Sequence, residues 1–357
     1  MEKKYELTDI TINWHGRVLH RIKALRDIEC GWIFPDVSVG ELGGFIEKEE
    51  NLSHEGDCWI FQDAKVYDNA IVTGDAQVFQ DAQVYENAKI GGTSIISDNA
   101  QIHGNVTIDF DIPEYIWYDS RSEINGYAEI YGNASIIGCD VGEYLKISGS
   151  IRAYNIFIDS CVETLSYDPT DESIQKMIEE GKKYRLINIC EKVGKRKLYR
   201  IQALIDINNP HFNVKAGDIG GFIEKEENLS HEGNCWVSNY AKVYGNAKVY
   251  GNAFISSGAE VYDNAQIYGN AEINYGNPKV YGNAQIYGNA CISEFIKVYD
   301  NAQVYEYADL EGGSEICGNV KVHGQIQLYY SDIIDGDIDL IDEDQLYNND
   351  NDEEEGE

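Results

Sequence analysis

The stretch that decides the fold runs from Ile60 to Thr107 and reads IFQDAK, VYDNAI, VTGDAQ, VFQDAQ, VYENAK, IGGTSI, ISDNAQ, IHGNVT. Each of these six-residue units begins with an aliphatic residue, and most carry Ala in the fifth position. Three further units occupy 124–141, and a second array runs from Val237 to Gln327, interrupted once by the seven-residue unit at 273–279. A six-residue period held this long indicates a solenoid, in which each unit packs on its neighbours.

The residue types in one unit predict its backbone path. Across each unit boundary the pattern Ala-x-Val-Tyr has strand periodicity, so Ala and Val point inward while Lys or Gln and Tyr point outward. The Gly or Asp followed by Asn then bends the chain, because Gly and Asn tolerate positive φ at little cost. Three strands and three bends close a triangular coil of about eighteen residues, and coils stack about 4.8 Å apart through parallel hydrogen bonds. We therefore predict an all-β protein built from a parallel β-helix.

A larger duplication encloses the two arrays. The sequence GGFIEKEENLSHEG occurs at Gly43–Gly56 and again, 177 positions later, at Gly220–Gly233. The similarity extends upstream, where Leu19–Leu25 matches Leu198–Leu204. Each half is therefore a non-repetitive lead-in followed by a solenoid, and the lead-in is expected to cap the open edge of the first coil. The predicted segments are a first capping segment (1–59), a first β-helix (60–161), a linker with a short helix (162–183), a second capping segment (184–236), a second β-helix (237–341) and an acidic, disordered tail (342–357).

The linker contains the one helix that the sequence predicts. Asp168-Pro169 favours a helix start, the apolar spacing continues through Met177 and Ile178, and Gly181 favours a helix end. The tail is different, since nine of its sixteen residues are acidic and few are apolar. Such a composition does not bury enough apolar surface to fold.

The unit aliphatic-x-Gly-Asn-Ala-x resembles that of the hexapeptide-repeat superfamily, whose members form left-handed parallel β-helices. The segments Gly43–Glu47 and Asn51–Ile60, with their copies from Gly220 to Val237, are similar to the lead-in of the bacterial YdcK-like proteins. Relatives of this type also occur in phage and prophage genomes. The resemblance implies two tandem, capped, left-handed β-helices, and it brings an acetyltransferase label that the group carries by fold.

The charge balance argues against two classes of partner. The chain has 28 Lys and Arg against 62 Asp and Glu, a formal net charge of −34. Docking on nucleic-acid phosphates or on an anionic membrane needs clustered cations, so neither partner is expected. The sequence has no apolar run of about 18 residues and begins without the apolar core of a secretory signal. Its eight cysteines are scattered without a Cys-x-x-Cys pair, which is typical of reduced thiols in a cytoplasmic protein.

Histidine is the residue that enzymes with the resembled fold use for chemistry. The resemblance implies that an acyltransferase of this type, with acetyl-CoA as its cofactor, would use a His as general base in a cleft between subunits of a trimer. The γ-carbonic anhydrases of the superfamily instead bind zinc with three His. In this chain His15 and His20 are five residues apart, but they lie in the lead-in and outside the β-helix. We therefore predict no metal site.

Two histidines, His103 and His323, occupy the second position of their units, which is normally an outward-facing Tyr. Steps of one coil along the sequence give the rows Tyr67, Tyr85, His103 in the first half and Tyr250, Tyr268, Tyr287, Tyr305, His323 in the second. One interpretation is a general base with a pKa near neutrality. The other, which we favour, is an aromatic replacement that stacks on its Tyr neighbours.

The duplicated Ser-His-Glu-Gly segment contains His54 and His231, with Cys58 and Cys235 nearby. A Ser/His/Glu triad needs three side chains that converge in space, which adjacency in sequence does not provide. We therefore expect the Ser to cap a turn and the His to pack inside the capping segment. The paired acids of the duplicated FIEKEEN are expected to form a solvated face.

These observations favour a non-catalytic binding or scaffold protein without a cofactor. Outward Tyr offers contact area at low entropic cost, and the acids would steer a basic protein partner into place. A rod of this charge could also act as a phage or host-defence decoy that imitates nucleic acid. Two alternatives stay open, namely an acyltransferase that uses acetyl-CoA and a protein that sequesters small molecules between its β-helices.

Overall fold

Two compact units, Met1–Thr170 and Asp171–Glu357, make up the chain. The computed structural model describes residues 3–30, 36–109, 122–124, 128–137, 139–141, 146–154, 157–158, 164–210, 212–329 and 333–341. In both units the described residues form a parallel β-solenoid preceded by an antiparallel hairpin. The prediction of an all-β protein with two tandem, capped solenoids is therefore confirmed. The tail that the sequence predicts to be disordered, 342–357, lies outside the described residues.

The hairpin of the first unit pairs strand Tyr5–Trp14 with strand Arg17–Ala24, and the register joins Tyr5 to Ala24 and Trp14 to Arg17. The second strand pairs antiparallel with Leu42–Ile46. That third strand then pairs parallel with Lys65–Val66 of the first full coil. The hairpin thus covers the edge of one of the three sheets at the point where the solenoid begins.

Each coil of the first unit contributes one short strand to each of three sheets. We name them the hairpin face, the tryptophan face and the third face, and we name each corner after the face that precedes it. The rungs of the hairpin face after Leu42–Ile46 are Lys65–Val66, Gln83–Val84, Gln101–Ile102, Glu129–Ile130, Lys146–Gly149 and Thr164–Tyr167. Those of the tryptophan face are Trp59–Ile60, Gln77–Val78, Ile95–Ile96, Glu123–Ile124, Asp140–Val141 and Phe157–Ile158. Those of the third face are Ile71–Val72, Lys89–Ile90, Thr107–Ile108, Ser135–Ile137 and Arg152–Tyr154.

The second unit repeats this plan. Its lead-in strands are Tyr184–Val193, Arg196–Ala203, Ile207–Asn208, Asn213–Val214 and Ile219–Ile223. Its hairpin face continues with Lys242–Val243, Glu260–Val261, Lys279–Val280, Lys297–Val298, Glu315–Ile316 and Ile333–Ile334. Its tryptophan face comprises Trp236–Val237, Phe254–Ile255, Glu272–Ile273, Cys291–Ile292, Asp309–Leu310 and Gln327–Leu328. Its third face comprises Lys248–Val249, Gln266–Ile267, Gln285–Ile286, Gln303–Val304, Lys321–Val322 and Asp339–Leu340.

The core of each solenoid is a set of stacked aliphatic rows. Val66, Val84 and Ile102, on successive coils of one face, are fully buried, and so is the Ala that precedes each strand. Burial of one such Val or Ile contributes about 1.5–3 kcal/mol. A single coil exposes both edges of these rows, so the stability comes from stacking.

The short helix predicted in the linker is present and spans Glu172–Glu179. It begins later than Asp168-Pro169 because Thr170 turns back, with its backbone N–H 2.8 Å from the Asp168 carboxylate. Asp171 is the N-cap instead, and its carboxylate accepts the Ser173 N–H at 2.7 Å. The only other helical segments in the described ranges are the 3₁₀ turns Glu49–Asn51 and Glu226–Asn228 of the duplicated lead-in.

Candidate functional site

The predicted aromatic row of the first unit exists and lies at the hairpin corner. The ring centroids of Tyr67 and Tyr85 are 5.1 Å apart, those of Tyr85 and His103 4.7 Å, and the interplanar angles are 2° and 7°. The stack continues to Tyr131, whose ring centroid is 5.3 Å from that of His103. These spacings follow the separation of neighbouring coils, because the same position recurs once in each coil.

The predicted row of the second unit lies at the third corner. Its centroid spacings are 4.8 Å for Tyr250–Tyr268, 4.9 Å for Tyr268–Tyr287, 4.8 Å for Tyr287–Tyr305 and 4.6 Å for Tyr305–His323. Hydroxyl groups along the row donate to the outward Gln of the next coil, as in the 3.2 Å bond from Tyr250 to Gln266. The row is therefore held both by ring stacking and by hydrogen bonds between coils.

A third row, at the hairpin corner of the second unit, was missed by the sequence analysis. It consists of Tyr244, Tyr262, Tyr281 and Tyr299, with centroid spacings of 4.9–5.1 Å. The duplication offset of 177 residues, added to Tyr67, gives Tyr244 and would have found it. This row, rather than the Tyr250 row, is the counterpart of the Tyr67 row. His103 and His323 consequently occupy different corners of their respective units.

The row rings present edges and hydroxyls, because their faces are covered by the neighbouring rings. Tyr67 is only 4% exposed and Tyr244 only 9%, and the other row Tyr are half-buried. Burial raises the pKa of Tyr85 to about 12 and that of Tyr262 to about 12. The Tyr rings of the rows thus present polar edges and are uncharged at neutral pH.

Each row histidine lies between carboxylates of the coil before and the coil after. The Nε2 atom of His103 lies 3.5 Å from Glu129, and its Nδ1 atom lies 3.7 Å from Glu86. His323 has the same surroundings, with Nε2 2.6 Å from Asp339 and Nδ1 3.7 Å from Glu306. A general base needs a ring nitrogen free to approach the acceptor. Here both nitrogens face protein carboxylates, and the rings stack as the Tyr rings do.

Acids at the corners are fixed by the backbone of the next coil. Asp68 and Glu86 adopt positive φ values of 58° and 59°, and Glu86 accepts the Gly104 N–H at 2.9 Å. In the second unit Glu306 accepts the Gly324 N–H at 3.0 Å. The acceptor satisfies an N–H that the rung leaves unpaired. Some of the acidic side chains therefore act as hydrogen-bond acceptors for the backbone at the corners.

Two polar grooves occupy the same position in the two units, beside the hairpin corner. The groove of the first unit has a volume of about 670 Å³ and is lined by Glu47, Lys48, Asp68, Asn69, Glu86 and Asn87. The groove of the second unit, of about 440 Å³, is lined by Arg196, Glu224, Lys225, Gly245, Asn246, Asp263, Asn264, Gly282 and Asn283. Asn side chains bridge successive coils along both grooves, as from Asn69 to Asn87 at 3.2 Å. Both grooves are therefore lined by amides. Three acids and one lysine make the first groove acidic, whereas in the second groove two acids face two cations.

The duplicated histidines pack inside the two caps. His54 stacks on Tyr5 at 4.4 Å, and its Nδ1 atom accepts the Lys4 N–H at 3.2 Å. His231 stacks on Tyr184 at 4.2 Å in the same way. Burial lowers the pKa of both imidazoles. The Ser53 hydroxyl accepts the Glu55 N–H at 3.0 Å and so closes a local turn.

A buried Lys–Cys pair joins each cap to its first coil, and the sequence analysis did not identify it. The Nζ atom of Lys4 lies 3.0 Å from Cys58 Sγ and donates to the Cys58 carbonyl at 2.8 Å. Lys183 and Cys235 form the equivalent pair at 3.2 Å. Burial lowers the pKa of Lys183 and raises that of Cys235. The repeated tripeptide Lys-Lys-Tyr was the signal that could have revealed these lysines.

The described ranges contain neither a candidate metal cluster nor a candidate membrane-spanning helix. Within them, no cluster of three or more His, Cys, Asp or Glu side chains has the arrangement of a metal site. No helix there has the length and apolar character needed to cross a membrane.

The period, the rungs and the caps define a hexapeptide-repeat-like β-helix protein. Residues 64–80, in the first array, match the family model described as the YdcK β-solenoid repeat. The match covers one stretch of the repeat, so it bears on the type of solenoid rather than on the chemistry of the chain. No curated protein matches the chain.

Proposed function

We propose that this chain is a non-catalytic binding or scaffold protein that engages a basic protein through the Tyr- and acid-lined corners of its solenoids. The observation that supports this most is the placement of carboxylates beside the Tyr rows. Asp263, Asp300 and Glu306 are exposed, and each accepts a backbone N–H of the next coil at 3.0–3.4 Å. These charges are held in place before any partner arrives.

Such an arrangement favours binding because little freedom is lost on association. Exposed acidic side chains usually lose rotamer entropy when they pair with a cation. Here the hydrogen bond to the next coil already restricts the carboxylate, and the adjacent Tyr ring is fixed in its stack. A cationic surface could therefore bind without reorganising the solenoid.

Long-range electrostatics adds to the same preference. A formal charge of −34 attracts cationic proteins and repels acidic ones. Regularly spaced carboxylates could also occupy the basic groove of a nucleic-acid-binding protein. In that form the protein would act as a decoy, in a phage or in host defence.

The test is affinity capture with the tagged chain in cells that carry its native gene. We expect a captured protein of positive net charge whose complex dissociates as the salt concentration rises. The triple variant Asp263→Asn/Asp300→Asn/Glu306→Gln keeps an acceptor at each corner but removes three charges. It should weaken binding of the purified partner at least about tenfold.

A matched control removes three charges elsewhere in the same unit, by Glu172→Gln, Glu179→Gln and Glu180→Gln on and beside the helix. All three side chains are exposed. This control should bind nearly as the unmodified chain does. A partner without positive charge, or equal weakening by the two triple variants, would contradict the proposal.

A further inference from the structure

One corner of the second unit interrupts the repeat. Strands begin every six residues from Trp236 to Asp339, except between Glu272 and Lys279, where the interval is seven. The pairing on both sides is undisturbed, since Glu272 pairs with Cys291 and Lys279 with Lys297. The extra residue is therefore accommodated entirely in the tryptophan corner, as a bulge.

The bulge displays an aromatic ring in an unfavourable backbone conformation. Tyr275 has φ 43° and is 68% exposed. A positive φ costs a bulky residue about 1–2 kcal/mol, whereas Gly or Asn would adopt it more readily. Pro278 and Gly276, at φ 59°, complete the bend. Ser257 and Glu294 adopt the same conformation at this corner on the neighbouring coils, so what distinguishes the bulge is the large exposed ring.

A second exposed aromatic residue lies on the next coil of the same corner. Phe295 is 63% exposed. The Glu294 N–H donates to the Tyr275 carbonyl at 3.2 Å, and the Asn277 N–H donates to the Glu294 carbonyl at 2.8 Å. The backbones that display the two rings are thus joined. The coils on either side carry Ser257-Gly258 and Gly312-Gly313 at this corner, so the aromatic pair projects above its neighbours.

The rings of this corner differ from those of the Tyr rows. Within the described ranges neither Tyr275 nor Phe295 stacks on another ring, and both side chains are largely exposed to solvent. Glu294 is exposed beside them, and Glu272 and Glu311 are half-exposed on the coils before and after. An open aromatic face next to a carboxylate suits the planar guanidinium of Arg, which stacks on the ring while its N–H groups bind the acid.

We infer that Tyr275 and Phe295 are the anchor of an interaction surface that takes an arginine side chain from a basic polypeptide partner. This inference rests on the proposed function and adds the tryptophan corner to the surface that the basic partner contacts. Exposed aromatic residues with a polar rim are the usual centres of binding energy in protein interfaces. The acids of the corner supply the charge complementarity.

The test uses a displayed library of random short peptides selected on the full-length chain. We expect enrichment of Arg-containing basic peptides. Synthetic copies should bind Tyr275→Asn/Phe295→Ser at least about tenfold more weakly, measured by fluorescence anisotropy. Because Asn accepts positive φ, this variant should keep its thermal stability, which separates lost binding from lost folding.

The matched control is Ile333→Ala, which removes an apolar side chain that is 72% exposed on the hairpin face, away from the Tyr- and acid-lined corners. It should bind the peptides as the unmodified chain does. Basic peptides that bind both variants equally would overturn this inference and leave the proposed function standing. A selection that enriches no basic peptides would contradict the proposed function itself.

Discussion

Gly233→Ala is expected to lower the free energy of unfolding of the second unit by about 3 kcal/mol or more, whereas Gly194→Ala should cost about 1 kcal/mol. Both glycines have positive φ, of 67° and 60°. A Cβ atom on Gly233 would lie 2.3 Å from the carbonyl oxygen of Gly251 in the next coil, but one on Gly194 would have no neighbour within 4 Å. Only the first substitution therefore forces two rungs apart.

Hydrogen exchange in graded urea measures this difference, because the protection of peptides from the second unit can be followed separately from that of the first. A further control is Gly245→Asn, where the nearest atom to the new Cβ would be the Asp263 nitrogen at 3.1 Å. Asn tolerates positive φ and the neighbouring backbone need shift by only a few tenths of an ångström, so this change should cost clearly less than Gly233→Ala. Equal losses of protection for Gly233→Ala and Gly194→Ala would mean that coil stacking does not limit side chains at the corners.

The second large effect is a loss of stability in alkali. Tyr184 is fully buried, and burial, followed by the nearby Glu226, raises its pKa in the folded state. Above pH about 10 the unfolded chain releases the phenol proton while the folded chain retains it. The folded state then binds more protons, so the free energy of unfolding falls as pH rises. The slope for one such Tyr is about 1.4 kcal/mol per pH unit.

The row tyrosines act in the same direction. Burial raises the pKa of Tyr85 and that of Tyr262 to about 12, so each unit should lose stability between about pH 10 and pH 12. Thermal melts followed by circular dichroism at successive pH values measure this transition. Tyr85→Phe/Tyr262→Phe keeps the stacks but removes two phenols, and it should move the transition to higher pH. A transition at the same pH in this variant would show that the row tyrosines do not drive it.

The fold was largely predictable because the same residue types recur at the same positions of every six-residue repeat. Each six-residue repeat carries its own strand, its own inward Ala and Val, and its own residue for the bend, as in Val66–Ile71. Stacking then follows from the need to bury those rows. The duplicated GGFIEKEENLSHEG marked the caps for the same reason, since an identical segment folds twice in the same way.

The parts that were not predicted depend on contacts distant in sequence. Lys4 meets Cys58 only because the hairpin folds back on the first coil; the repeated Lys-Lys-Tyr marks the lysine but does not name its partner. The equivalence of the Tyr67 and Tyr244 rows required the duplication offset to be applied to the rows as well as to the lead-in. The role of Glu86 became visible only when its backbone conformation placed the carboxylate on the N–H of Gly104.

The helix start shows a similar limit. Asp168 and Asp171 both precede the apolar spacing at an N-cap distance, and Asp168-Pro169 has the stronger local signal. The structure uses Asp171, because Asp168 is engaged in a turn with Thr170. Which of the two possible N-cap residues is used depends on the path of the surrounding chain, and the local sequence does not specify that path.

The most direct test of a non-catalytic role for the aromatic rows is a thermal-shift titration with acetyl-CoA, beside the variant His103→Ala/His323→Ala. A ligand that binds only the folded state raises the melting temperature in a saturable way. We expect no saturable shift in either protein, since both row histidines are stacked and face carboxylates. A saturable rise that the double variant abolishes would place an acyl-donor site on the rows and contradict the binding role proposed for them.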